Sequence, residues 1–163
     1  MKKIGLLSDT HGYWDEKFVE YFSSCDEIWH AGDIGSLDVL NKLEAIKPVR
    51  AVHGNIDGYP IRTSCPKHLH FRIEELDVWI THIGGYPERY APEVRPEIFK
   101  NPPGLFICGH SHILKVQYDS RLNFLHINPG AAGKQGFHQV RTIIRFCIDK
   151  KDIQNLEVVE FAV

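Results

Sequence analysis

The sequence predicts an α/β protein in which two sheets pack face to face with helices outside. Three observations carry this expectation. The first 55 residues alternate short aliphatic runs with amphipathic segments, the second half is a series of strand-like runs with short connections, and the chemically active side chains fall just after predicted strands. The chain has 163 residues, which against roughly 150 per domain is read as one domain, 1–163. A chain of this length buries about 70% of its unfolded surface and needs no staples. Apolar residues make up 43% and charged residues 25%, a globular composition that excludes disorder, collagen-like repeats and a coiled coil.

Lys3–Ser8 is an aliphatic run ending in polar residues and reads as a buried first strand. Phe18, Val19 and Phe22 give Asp15–Ser23 one helical face. Glu27–His30 is the second strand. Ser36 then caps a helix whose apolar face is Leu37, Leu40, Leu43, Ala45 and Ile46, stopped by Pro48. Val49–His53 completes a β-α-β-α-β start, the grammar of a parallel sheet. His68–Ile73 and Asp77–Thr81 are close enough for a hairpin, and a proline-rich stretch follows with a short helix around Glu93–Phe99. Leu105–Cys108, Ile113–Tyr118, Leu122–Ile127, Val140–Asp149 and Ile153–Phe161 are the remaining strands.

Net charge is −2, with no block of five like charges, so the basic stripe of a nucleic-acid binder is missing. No apolar run nears the roughly 20 residues of a membrane span. Only three aliphatic residues precede Ser8 and Asp9, too few for a signal peptide, and the expected location is the cytoplasm. The scattered Cys25, Cys65, Cys108 and Cys147 are read as reduced.

Histidine is the unusual count, ten of 163. The polar clusters are Asp9-Thr-His11, Gly32-Asp33, Gly54-Asn55, Thr81-His82 and Gly109-His110-Ser-His112. Strand alternation would point Asp9 with His11, and His110 with His112, to one side. Carboxylate, imidazole and amide donors without thiolates suit a hard or borderline divalent transition metal. Seven candidate ligands exceed the needs of one ion. Two ions roughly 3.5–4 Å apart, sharing a carboxylate, would use them all, and such a pair activates a bridging water against a phosphoryl group. Taken singly, each cluster has a plainer reading as a turn or a strand-end histidine. Five together in this order are much harder to explain that way.

These five clusters, with Ile127-Asn-Pro-Gly130, resemble the calcineurin-like metallophosphoesterase superfamily, and in particular its small single-domain subgroup that includes the retromer scaffold subunit. The resemblance implies a four-layer α/β/β/α sandwich of two mixed sheets flanked by helices. It also implies one metal held by Asp9, His11, Asp33 and His112, and a second by Asp33, Asn55, His82 and His110. Manganese, iron, zinc or nickel would serve. The implied reaction is hydrolysis of small phosphodiesters by a metal-bridging hydroxide, with Asp33, Asn55 and His82 as its catalytic residues. A homo-oligomer is compatible with the subgroup.

Where many members of that superfamily carry a proton-donating histidine, this chain has Ile56, which favours diesters with stable leaving groups. Asp57 then reads as a turn residue before Gly58, and Arg89 and Tyr90 as candidate substrate contacts on the rim. His30 and His53 read as buried structural histidines, with a substitute acid as the sharper option. The rival function is a protein-interaction scaffold on the same fold.

Overall fold

The computed structural model describes residues 1–163 and contains every strand expected from the sequence, with ends shifted by one or two residues. In chain order the first elements are β1 (Lys2–Leu7), α1 (Lys17–Phe22), β2 (Glu27–His30), α2 (Leu37–Glu44), β3 (Val49–Ala51) and α3 (Tyr59–Ser64). Then come β4 (His68–Ile73), β5 (Leu76–Thr81), β6 (Gly85–Tyr86), β7 (Arg89–Tyr90), α4 (Arg95–Lys100) and β8 (Leu105–Ile107). The chain closes with β9 (Leu114–Asp119), β10 (Phe124–Pro129), β11 (Val140–Asp149) and β12 (Asp152–Ala162).

Two mixed five-stranded sheets form, ordered β12-β11-β1-β2-β3 and β4-β5-β8-β10-β9. Between them lie Ile4, Leu6 and Trp29 from the first sheet and Val78, Ile80, Leu105 and Ile107 from the second. Strand alternation sends Leu7 and Ile28 to the opposite face of the first sheet, under α1 and α2. Trp79 and Phe106 likewise turn outward to meet Val94 and Ile98 at α4. Each fully buried aliphatic or aromatic side chain here contributes about 1.5–3 kcal/mol. The layers are helices, sheet, sheet, helix, as expected.

The helices differ from expectation in detail. Ser36 caps α2 by accepting from the Val39 backbone N–H, but Val39 is buried and Leu37 is exposed. On α1 the buried pair is Phe18 and Phe22, while Val19 faces solvent. The six-residue α3 was not foreseen: it buries only Ile61, so it has no apolar period to read. No helix is long and apolar enough to cross a membrane.

Within the first sheet β1, β2 and β3 run parallel, and within the second β5, β8 and β10 do. The carboxyl ends of β1, β2, β3, β5 and β8 are followed by the five polar clusters, where open α/β sheets present their crevice.

Candidate metal centre

The seven predicted ligands converge. Asp9, His11 and His112 form one group whose donor atoms lie within 4.8 Å of one another, and Asp33, His82 and His110 form a second. Asp33 sits between them, its Oδ2 being 3.1 Å from His82 Nε2 and 3.5 Å from His11 Nε2. Asn55 joins the second group through Oδ1, 3.1 Å from His110 Nδ1.

Strand alternation is not what aims these side chains. Asp9, His11, Asp33, His110 and His112 lie beyond the strands and all have left-handed backbones, with φ of 54°, 46°, 55°, 73° and 63°. Such a conformation costs about 1–2 kcal/mol for a residue with a Cβ and is typical of functional sites. Cross-loop hydrogen bonds hold it in place. The Asp9 N–H donates to Gly32 O, the His11 N–H to Asp33 O and the Gly109 N–H to His82 O, at 2.9–3.0 Å.

Each carboxylate has one oxygen secured and one open. Asp9 Oδ2 accepts from Ser8 Oγ at 2.6 Å and the His110 N–H at 3.1 Å, leaving Oδ1 buried without a partner. Asp33 Oδ1 accepts from the Ile56 N–H, which leaves Oδ2 for the imidazoles. His11 Nε2 and His82 Nε2 are likewise buried and unpartnered. A buried polar atom without a partner costs about 1–3 kcal/mol. Three of them in one place fit a cation.

Spacing agrees. Donors about 2.1 Å from one ion sit roughly 3.0–3.4 Å apart. His112 Nε2 is 3.2 Å from Asp9 Oδ1, beside the 3.1 Å pair of His82 and Asp33. His82 shows why. Its Nδ1 donates to Ala31 O at 2.8 Å, so Nε2 faces Asp33 with a lone pair and is satisfied only by a second proton or a cation.

Electrostatics follow the same logic. Burial would raise the Asp9 carboxyl, but His11, His112, His82 and Ser8 hold it well below the usual carboxylate range. Asp33 is also lowered, with His82 outweighing burial. Contact with Asp9 raises His11, and the two carboxylates raise His82 despite its burial. Burial and the neighbouring His82 lower His110. A raised histidine stabilises the fold below its unfolded pKa, and that contribution is lost as pH rises through the folded value. The metal-free protein is therefore expected to melt lower as pH climbs from neutral to 9, while Asp9 and Asp33 stay charged. Added manganese should remove that decline, and its affinity should weaken toward acid as protons compete for His11 and His82. Melting curves across pH with and without metal test both; identical slopes would contradict the assignment.

The surrounding residues explain the precision. A Cβ at Gly109 would overlap Ser8 Oγ and Asp9 Oδ2, and one at Gly54 would overlap Asp33 Oδ1, so the backbone itself packs against both carboxylates. Asp57 is not the turn residue its sequence suggests. It is buried, and its carboxylate accepts from the Ile34, Gly35 and Gly54 N–H groups at 2.8–3.1 Å, tying the Asp33 loop to the Asn55 loop. His30 is fully buried and held neutral, its pKa lowered to about 4 by desolvation. Its Nδ1 accepts from the Gly32 N–H, so Nε2–H meets Thr10 Oγ1, and no proton remains for a substrate. His53, only partly buried, keeps Nδ1 on Cys65 O. His138, to which the sequence gives no role, stands edge-on to His112 with ring centres 5.3 Å apart.

The rim departs from expectation. Tyr90 is buried among Phe106 and Phe124 and donates its hydroxyl to Asp119, so it cannot touch substrate. Arg89 is exposed on the small β6–β7 hairpin, outside the cleft beside the metal ligands. That cleft, about 380 Å³, starts at Asn55 and His82 and contains Arg62 and Lys67 instead. Both belong to the α3 region that the sequence left unread.

A mixed sandwich with oxygen and nitrogen donors gathered at its strand ends defines a metallophosphoesterase fold. Residues 1–151 match the family model of the calcineurin-like phosphoesterase superfamily domain, and the chain belongs to that superfamily. A curated probable metallophosphoesterase of Methanothermobacter thermautotrophicus is 35% identical over 115 residues, 67% of this chain and 66% of the relative, so the match spans just under two thirds of that protein. A solved archaeal phosphodiesterase superposes with a TM-score of 0.77 at 25% identity, covering 96% of this chain and 99% of that one. Vps29 of Entamoeba histolytica, solved in complex with zinc, shares the fold with a TM-score of 0.76 at 13% identity and 98% coverage of each chain.

Proposed function

We propose that residues 1–163 form one domain acting as a two-metal phosphodiesterase on small or activated diesters. The observation that carries this is the pair of adjoining donor groups joined at Asp33, with three buried donor atoms lacking any protein partner. Asp9, His11, Asp33 and His112 would hold one divalent ion, and Asp33, Asn55, His82 and His110 the other. When bound, such ions supply Lewis-acid charge at the phosphoryl oxygens and lower the pKa of the attacking water. Manganese, iron, zinc and nickel all suit these donors.

The chain's own residues set the rest. Asp33 places a carboxylate between both groups, and His82 is locked in the tautomer that aims Nε2 at it. Asn55 engages His110 through Oδ1, which leaves its side-chain N–H groups to donate to a phosphoryl oxygen. In the reaction a water oxygen bonds to phosphorus and the P–O bond to the leaving alcohol breaks with its electron pair. The products are a phosphomonoester and the alcohol. The leaving oxygen needs a proton when it is a strong base, and the half-exposed Ile56 has none to give.

Ile56→His is accordingly expected to speed alkyl diesters by up to about 10²-fold while barely changing 4-nitrophenyl diesters. Equal effects on both series would contradict the leaving-group argument. The direct test of function is metal content together with hydrolysis of bis(4-nitrophenyl) phosphate, cyclic nucleotides and monoesters, with and without manganese. Metal-free protein that turns over none of them, with or without added metal, overturns the reading.

The four cysteines are unpaired, which supports a reducing compartment such as the cytoplasm. A protein-interaction scaffold is the second reading. It is favoured by the sheet-edge strand β9, where Ile113 just before it, and Val116 and Tyr118 on it, are exposed, and where a partner or a second copy could dock.

A further inference from the structure

The cleft next to Asn55 and His82 has a chemical character of its own. Arg62 enters it with its guanidinium hydrogen-bonded only to backbone carbonyls, those of Asp57 at 2.5 Å, Gly54 at 3.4 Å and Asn55 at 3.5 Å. Carbonyl dipoles orient that cation without neutralising it, since no carboxylate pairs with it. Lys67 stands on the same cleft with Nζ 2.6 Å from Glu93 Oε1, both side chains being more than half exposed. An exposed pair of this kind is worth about 0–1 kcal/mol and exchanges readily for another anion. Glu93 is also within 3.4 Å of His68 Nε2, so it keeps a polar neighbour if Lys67 turns away.

The walls lack what a nucleobase would use. Apart from His53 and His82 no aromatic ring lines the cleft, and its volume, about 380 Å³, lies at the small end of the roughly 300–1,000 Å³ typical of ligand pockets. Two cations, one carboxylate and no stacking platform select charge over ring. Because the cleft begins at two of the metal-group residues, a diester bound there would lay one of its arms into it.

We infer that this cleft reads a second anionic group, a carboxylate or a phosphate, on the substrate arm that stays with the product, with Lys67 as its mobile contact and Glu93 as its internal competitor. The inference rests on the phosphodiesterase reading, and its test separates the two. The substrates are 4-nitrophenyl propyl phosphate and 4-nitrophenyl 3-carboxypropyl phosphate, which share a leaving group and differ by one carboxylate at the end of the retained arm. The expected ratio of kcat/KM favours the charged arm by about fivefold, the upper range for an exposed ion pair. Lys67→Met should bring that ratio to near one, Glu93→Gln should raise it, and added salt should shrink it.

A binding measurement gives the same answer without turnover. Calorimetry with propylphosphonate and 4-phosphonobutanoate should show about fivefold tighter binding of the carboxylate-bearing probe, lost in Lys67→Met. No preference, or a preference that survives Lys67→Met, overturns the inference. If neither diester is hydrolysed, the phosphodiesterase reading fails, and the phosphonate pair still decides what the cleft binds.

Discussion

Asp33→Asn is expected to cut phosphodiester turnover by at least about 10³-fold and to lower metal content from two ions per chain to one or none. The substitution keeps the shape of the side chain, and its Oδ1 still accepts the Ile56 N–H. What disappears is the charge at Oδ2, the atom facing His82 and His11 together. Losing metal-derived stabilisation of several kcal/mol at the transition state corresponds to three or more powers of ten. Elemental analysis and initial rates on bis(4-nitrophenyl) phosphate check the two halves separately. Full activity with two ions still bound would show that Asp33 does not join the groups.

Asp57→Ala is expected to destabilise the fold by about 3–4 kcal/mol, although the residue touches no candidate ligand side chain. One buried carboxylate accepts from Ile34, Gly35 and Gly54, and its removal strands three backbone N–H groups around the Asp33 and Asn55 loops. Urea denaturation should show the loss directly, with a melting temperature lower by roughly 10 °C for a chain of this size. Metal affinity should fall in parallel, because the loops bearing Asp33 and Asn55 would then be joined only by the Ile56 N–H to Asp33 Oδ1 bond. A variant as stable as the parent would return Asp57 to the role of an ordinary turn residue.

The contrast between Asp57 and its neighbours marks how far the sequence is legible. Ten strands could be read because their apolar runs are bounded by Gly, Pro and polar residues, and the five donor clusters because each follows such a run. Asp57 could not, since its partners at Ile34 and Gly35 lie 23 and 22 residues away and nothing local announces them. Tyr90 misled for a related reason: it follows two glycines and a proline, a loop signature, but β7 and α4 turn it inward to Asp119. Arg62 was hidden because α3 carries Pro60 in its first turn and buries a single apolar side chain. In each case local composition was silent about what the segment meets across the fold.

Alternation is not what brings Asp9, His11, His110 and His112 together. Their side chains converge because the chain turns left-handed as it leaves β1 and β8, and these turns are pinned by neighbouring loops. At most of its candidate ligand positions, then, the polypeptide is held against its own conformational preference. Aspartate and histidine accept that shape at some cost, whereas glycine, with no Cβ, takes it freely. Drift toward glycine relaxes the main chain and empties the pocket at once, while the two-sheet body stays whole. Durability and reactivity are thus opposed within a handful of peptide units, and a lineage released from selection for turnover would find the quieter sequence the easier one to keep.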